Sequence, residues 1–234
     1  MVPTGPDIRA SKRIRAVGLA AGLVAWSGLV APRVPARALV PLHAAGSAGL
    51  VAVVNAPLGL RPPELWCGLR LGVVAAAVVS AGVAAATALP RVREAMAERE
   101  LPEPVTGWLL IRIPVGTVWS EEAAFRGALG TLAAEAFGRR WGRLLQATAF
   151  ALSHVADARG AGEPVVGTVL VTGAAGWAFG WLHSRSGSLL APMLAHLASN
   201  EAGAVAALAV QLRRRGRPPS TGAAPFRGHR YRRR

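Results

Sequence analysis

The sequence predicts an all-α protein, a polytopic transmembrane helical bundle of about seven or eight membrane helices. Three observations predict it. Hydrophobic residues make up 52% of the 234 and charged residues only 17%, far from the balance of a soluble domain. The apolar residues are gathered into uncharged runs near the length, about 20 residues, that crosses the hydrocarbon core of a bilayer. A net charge of +15 collects at the two ends and leaves the middle of the chain close to neutral.

Taken in order, a basic head of Arg9, Lys12, Arg13 and Arg15 precedes the first uncharged run, 16–32. Its basic flank and the Ala36-Arg37-Ala38 that follows also have the shape of a cleaved leader. Because the next apolar run begins at once, an uncleaved helix is the expectation. Runs 38–60, 71–89 and 164–182 are likewise free of Asp, Glu, Lys and Arg. Segment 105–120 is apolar except for Arg112 and runs into Glu121, Glu122 and Arg126 before a further apolar stretch, 127–134, as one long helix or a broken one. Segment 144–155 is apolar but needs its flanks to cross, and 186–211 carries only Glu201.

Connections such as Arg61-Pro62-Pro63-Glu64 and Arg159-Gly160-Ala161-Gly162 are short and turn-rich, so no soluble domain fits between spans. Three parts result: N-terminal helices with their basic head over 1–104, a core over 105–212, and a basic, Pro- and Gly-rich tail over 213–234 that is expected to be disordered. The positive-inside bias puts head and tail on one side, which favours an even number of spans. Eight is the expectation, with 186–211 divided near Glu201 or another segment re-entrant.

The tail holds Arg213, Arg214, Arg215, Arg217 and five more arginines between 227 and 234. Beside apolar spans it suits an anionic leaflet, and no nucleic-acid-binding motif accompanies it, so lipid is the expected partner and no specific nucleic acid. The lone cysteine, Cys67, excludes an internal disulfide and a cysteine-based zinc cluster and reads as a small apolar filler.

An ionisable residue within a membrane helix costs roughly 2.5–3.5 kcal/mol on insertion scales, so such residues tend to mark function. Three clusters qualify. In Glu121-Glu122-Ala123-Ala124-Phe125-Arg126, Glu122 and Arg126 stand four apart and pair along a helix face, while Glu121 projects about 100° away and is left for other work. Phe150-Ala151-Leu152-Ser153-His154 sets a ring and an imidazole one turn apart, and His196-Leu197-Ala198-Ser199-Asn200 does the same with an imidazole and an amide. Singly each has a structural reading: a neutralised bridge, a helix cap, polar glue between helices. Together two carboxylates, two histidines and an amide on three apolar helices form the inventory of a hydrolytic site. His183 is expected at an interface, His43 lies in an apolar run without a partner, Glu135 and Arg112 form a bridge or snorkel, and Gly127, Gly130, Gly173 and Gly176 mark close packing or bends.

The order EEAAFR at 121–126, FALSH at 150–154 and HLASN at 196–200, with the approach GWLHSRSGSL from Gly180 to Leu189, resembles the CAAX-protease and bacteriocin-processing family of intramembrane endopeptidases. The resemblance covers roughly 105–200. It implies that Glu121 is a general base activating water, that His154 helps to hold that water, and that Glu122 and Arg126 brace the helix. His196 and Asn200 would stabilise the oxyanion, with Phe150 in a supporting place. No cofactor is expected, although Glu121, His154 and His196 are a possible zinc set, since two histidines and a glutamate also occur in catalytic zinc sites. The expected substrate is a membrane-associated peptide or protein, and the expected location a prokaryotic plasma membrane, because Lys12 is the one lysine among 27 basic residues and alanine abounds. A proton-relaying transporter and an inactive scaffold or immunity protein are the alternatives, and neither inverted-repeat hydropathy nor a lost motif residue favours them.

Overall fold

A computed structural model describes residues 5–215, all of whose regular elements are helical. The arginines from 217 onward lie outside the described residues. Helix α1, Gly5–Ala25, continues through one π-type turn, Trp26–Val30, and a short 3-10 turn, Ala31–Arg33. Helices α2, Ala36–Val54, and α3, Glu64–Thr87, follow, and then a short α4, Pro90–Glu98. From α5, Val105–Gly107, the chain runs on without a break through two wide π-type helices, Trp108–Trp119 and Glu122–Leu129, into α6, Gly130–Ser153. The short α7, Val155–Gly160, leads to α8, Val165–Ser186, and α9, Leu190–Arg215.

Five helices are long and apolar enough to cross a membrane: those of 8–33, 36–54, 64–87, 165–186 and 190–215. Two further long segments complete the bundle among the described residues, the helix entered at Val105 and the half of α6 beyond Gly138. Gly138 has φ 79° and ψ 166°, a backbone available to glycine and costly for other residues, and it separates the two. The expected division of 186–211 near Glu201 is not there: α9 is uninterrupted, because nothing between Leu190 and Arg215 breaks its hydrogen-bond ladder. The 105–134 region is one helix, widened where Pro114 removes a backbone donor and where the Ser120 hydroxyl donates to the Val115 carbonyl five residues back at 2.8 Å.

The exterior is apolar, unlike that of a soluble protein, and a few ionisable residues lie inside. Val53, Val78, Leu110, Val166 and Val171 lie on the surface, whereas Glu122, Arg126, Gln146 and His196 are buried. Such a surface belongs in lipid, and the chain reads as an integral membrane protein. Cys67 is exposed on the outer side of α3 and is no core filler. Glu135 pairs with Lys12 at 3.3 Å rather than with Arg112, which faces outward.

Helix packing follows the small residues, as expected where lipid removes the hydrophobic drive between helices. Helix α3 packs along α9, α8 and α1 along α6, and α2 along the two wide helices. A Cβ on Gly176 would lie 3.0 Å from the Phe150 ring and 3.2 Å from Ala147 Cα, so α8 approaches α6 closely at that point. Gly68 and Gly72 admit Ser188, just before α9, and Ala191 and Leu194 of α9 in the same way. The turn at Gly59, φ 57°, touches the turn at Gly187, and Leu189 N–H donates to Leu58 C=O at 2.8 Å. That clasp sets the position of α9 along α3, and with it the depth of His196.

Candidate active site

The wide helix carries Glu121 and Glu122 to the middle of the bundle. Glu122 and Arg126 have no exposed side-chain surface, and Arg126 Nη1 donates to Glu122 Oε1 at 3.0 Å. The guanidinium lies 4.0 Å over the Phe150 ring and 5.1 Å from that of Phe179. Those contacts offset part of the cost of Arg126 Nε and Nη2, which are buried without a hydrogen bond.

His196, from α9, closes the group. Its Nδ1–H donates to the same Glu122 Oε1 at 2.7 Å, and its Nε2 stands 3.8 Å from Glu121 Oε2. Phe179 stacks on the imidazole, centroids 5.0 Å apart and planes 24° apart, while Phe150 meets it edge-on at 6.2 Å. One imidazole therefore spans two adjacent carboxylates, with Glu122 selecting the tautomer and two aromatic rings holding the plane. The second carboxylate differs from the first: the Glu121 side chain is 28% exposed, although its Oε2 is shielded and unbonded.

Glu121 lines a cavity of about 840 Å³ between α1 and α2, two helices that barely touch. Leu19, Leu23 and Trp26 of α1 face Leu42, His43 and Leu50 of α2 across it, and Ser120, Glu121, Ser153 and His154 stand on its remaining side. His154 sits where α6 gives way to α7, at φ −89° and ψ −2°, a sparsely populated region common at active sites. Its Nδ1–H donates to the Phe150 carbonyl at 2.7 Å, which leaves Nε2 as the nitrogen with a lone pair.

The structure thus brings together Glu121, Glu122, Arg126, Phe150 and His196, and puts His154 with Glu121 on one cavity. Asn200 does not join them: its amide donates to the His196 carbonyl of its own helix at 3.3 Å. Nor do Glu121, His154 and His196 fit zinc. Among the described residues no group of three His, Cys, Asp or Glu stands close enough together to hold a metal ion as the side chains are placed.

The surroundings of two residues were missed in the sequence. Phe179 looked like any apolar residue of a span, and only the packing of α8 on α6 and α9 reveals its contact with His196. His183, one turn further along, lies in the last turn of α8 as expected, and is half-buried within electrostatic reach of Glu122 and Arg126. Its spacing of four from Phe179 was the available signal.

Fold and site together define a polytopic helical membrane protein with a buried carboxylate–histidine centre beside an open cavity. Residues 103–202 match the family model described as Rce1-like, type II CAAX prenyl endopeptidase. That stretch is less than half of the chain, holds all three motifs and agrees with the resemblance drawn from them. No curated protein and no solved structure gives a significant match.

Proposed function

We propose that the chain is an intramembrane endopeptidase that hydrolyses a peptide bond of a membrane-associated peptide or protein with water activated by Glu121. The observation that carries this reading is the pairing of unequal carboxylates. Glu122 Oε1 is bonded by both Arg126 and His196 Nδ1 while its Oε2 is buried away from the cavity, whereas Glu121 makes no hydrogen bond, stands part-exposed on the cavity wall and has His196 Nε2 3.8 Å away. A carboxylate free of partners is the one able to take a proton.

In this mechanism a water in the cavity hydrogen-bonds to Glu121 and to the His154 Nε2 lone pair. Glu121 removes its proton as the water oxygen forms a bond to the peptide carbonyl carbon. The oxyanion is stabilised by an N–H at His196 Nε2 in the imidazolium form, whose Nδ1–H is held by Glu122 Oε1. The Glu121 proton then passes to the amide nitrogen as the C–N bond breaks, leaving an acid and an amine. Asn200 takes the oxyanion role given to it by the resemblance only after its amide leaves the helix carbonyl.

The apolar exterior supports a membrane location, with lipid and a lipid-borne peptide as partners, and the scarcity of lysine beside arginine supports a prokaryotic plasma membrane. The match to CAAX prenyl endopeptidases makes a prenylated carboxyl-terminal peptide the first substrate to offer. The test uses the full chain in lipid nanodiscs with a quenched fluorescent peptide bearing a farnesylated cysteine three residues from its end, and its unprenylated counterpart. Cleavage of either that survives a chelator and vanishes in Glu121→Gln supports the reading. Cleavage by Glu121→Gln at the native rate overturns it.

A further inference from the structure

An imidazole lies on the wall of the cavity that faces Glu121, and the family match does not reach it. His43 lies on α2, sixty residues before the matched stretch begins. Among the described residues, the buried side-chain polar atoms without a hydrogen bond include two that belong to cavity-lining residues, Glu121 Oε2 and His43 Nε2. The first belongs to the proposed base. The second has no role in that mechanism, and nothing among the described residues bonds to it.

His43 is held in place on both sides. Trp26 of α1 meets the imidazole edge-on at 5.9 Å. One turn along α2, Ser47 Oγ donates to the Ser120 carbonyl at 2.8 Å, and Trp119 Nε1 donates to the Ala44 carbonyl at 3.3 Å. These bonds lock α2 to the helix that carries Glu121, so the His43 face and the Glu121 face keep a fixed separation across the cavity. A shielded polar atom left unpaired costs about 1–3 kcal/mol, a cost that a ligand or a water in the cavity, whose lining also carries Ser27, Ser47, Ser153 and Asp157, would meet.

An extended peptide entering this space has the complementary need. Once unwound from its own helix, its main-chain carbonyls have no water and no helix to bond to, and each must find a donor in the protein. We infer that His43 is a substrate-positioning residue, whose imidazole N–H donates to a main-chain carbonyl of the bound peptide and sets its register against Glu121. This rests on the peptidase reading, and deepens it by naming the wall that holds the chain while the opposite wall performs the reaction. The groups recognised are those of the peptide backbone, so the contact tolerates many side chains.

The experiment measures cleavage and binding separately, with the full chain in nanodiscs and the farnesylated peptide as the probe. Affinity is read by fluorescence anisotropy in the Glu121→Gln background, where the probe is not consumed. His43→Leu is expected to weaken binding about tenfold and raise KM to match, while kcat falls by less than about threefold. His43→Gln, which keeps an N–H donor at similar reach, should recover binding to within about threefold. Affinity in His43→Leu within twofold of the parent overturns the proposal, as when a cavity water is the only partner. Equal weakening in the Leu and Gln variants also overturns it, since that reports shape rather than a hydrogen bond. Binding that depends on His43 in a protein that cleaves nothing leaves this inference standing and removes the peptidase reading. Cleavage indifferent to His43 does the reverse.

Discussion

His196 and Glu122 lie 74 positions apart in the chain and 2.7 Å apart in the fold, joined by an Nδ1–H bond inside a region shielded from lipid and water. That bond divides the labour of two neighbouring glutamates. Glu122, already paired with Arg126, becomes the fixed anion that orients an imidazole, and Glu121 remains the unpaired carboxylate on the cavity.

Glu121→Gln preserves the shape of the side chain and removes its basicity. Peptidase activity is expected to fall by about 10²–10⁴-fold, the range for a lost general base. The thermal midpoint in detergent should stay within about 2 °C of the parent. A loss of activity accompanied by a large drop in that midpoint would instead report a structural role.

Arg126→Leu strands the Glu122 carboxylate where no solvent reaches it. Breaking a buried pair by removing one partner costs about 3–5 kcal/mol, so the apparent midpoint should fall steeply. The double variant Glu122→Gln with Arg126→Leu leaves no charge stranded and should recover most of the stability. It should remain inactive, because His196 then lacks its anion. Thermal unfolding followed by fluorescence, run beside the peptide assay, separates the two effects.

Phe179→Leu tests the ring that lies 5.0 Å from the His196 imidazole. An aromatic pair of this kind contributes about 0.5–1.5 kcal/mol beyond its buried area. Turnover is therefore expected to drop roughly threefold to tenfold with little change in KM, since the ring acts on the imidazole and not on the cavity. A change confined to KM would count against that assignment.

Gly142 and Gly203 make a matched pair for folding. A Cβ at Gly142 would stand 2.6 Å from the Ala133 backbone, where the turn at Gly138 folds α6 back, whereas a Cβ at Gly203 meets nothing within 4 Å. Gly142→Val should destabilise by about 1–3 kcal/mol or more through overpacking. Gly203→Ala should be neutral, or stabilise by roughly 0.5–1 kcal/mol, because alanine orders a helix at lower entropic cost. Comparison of midpoints in one detergent checks both.

Membrane class, helical architecture and the pairing of Glu122 with Arg126 could all be read along the chain, because each depends on local facts: the length of uncharged runs and a spacing of four on one helix. The candidate motif residues could be read too, since charge in an apolar span stands out against its neighbours. The widening of the motif helix was not legible, nor was the single α9 through Glu201, because both depend on which backbone bonds the neighbouring helices permit.

Contacts between helices belong to the tertiary structure alone. Glycine and alanine at positions 72, 147, 151 and 176 let α3, α8 and α9 approach until His196 reaches Glu122 and Phe179 covers it. Nothing along one segment tells which face of the next it will meet. Asn200 makes the same point in reverse, since a spacing of four from His196 is met equally well by a bond to the helix's own carbonyl, and that is where its amide lies. His43 was an isolated histidine in the sequence and became part of a cavity wall only when α1 and α2 were held apart by the helices each packs on.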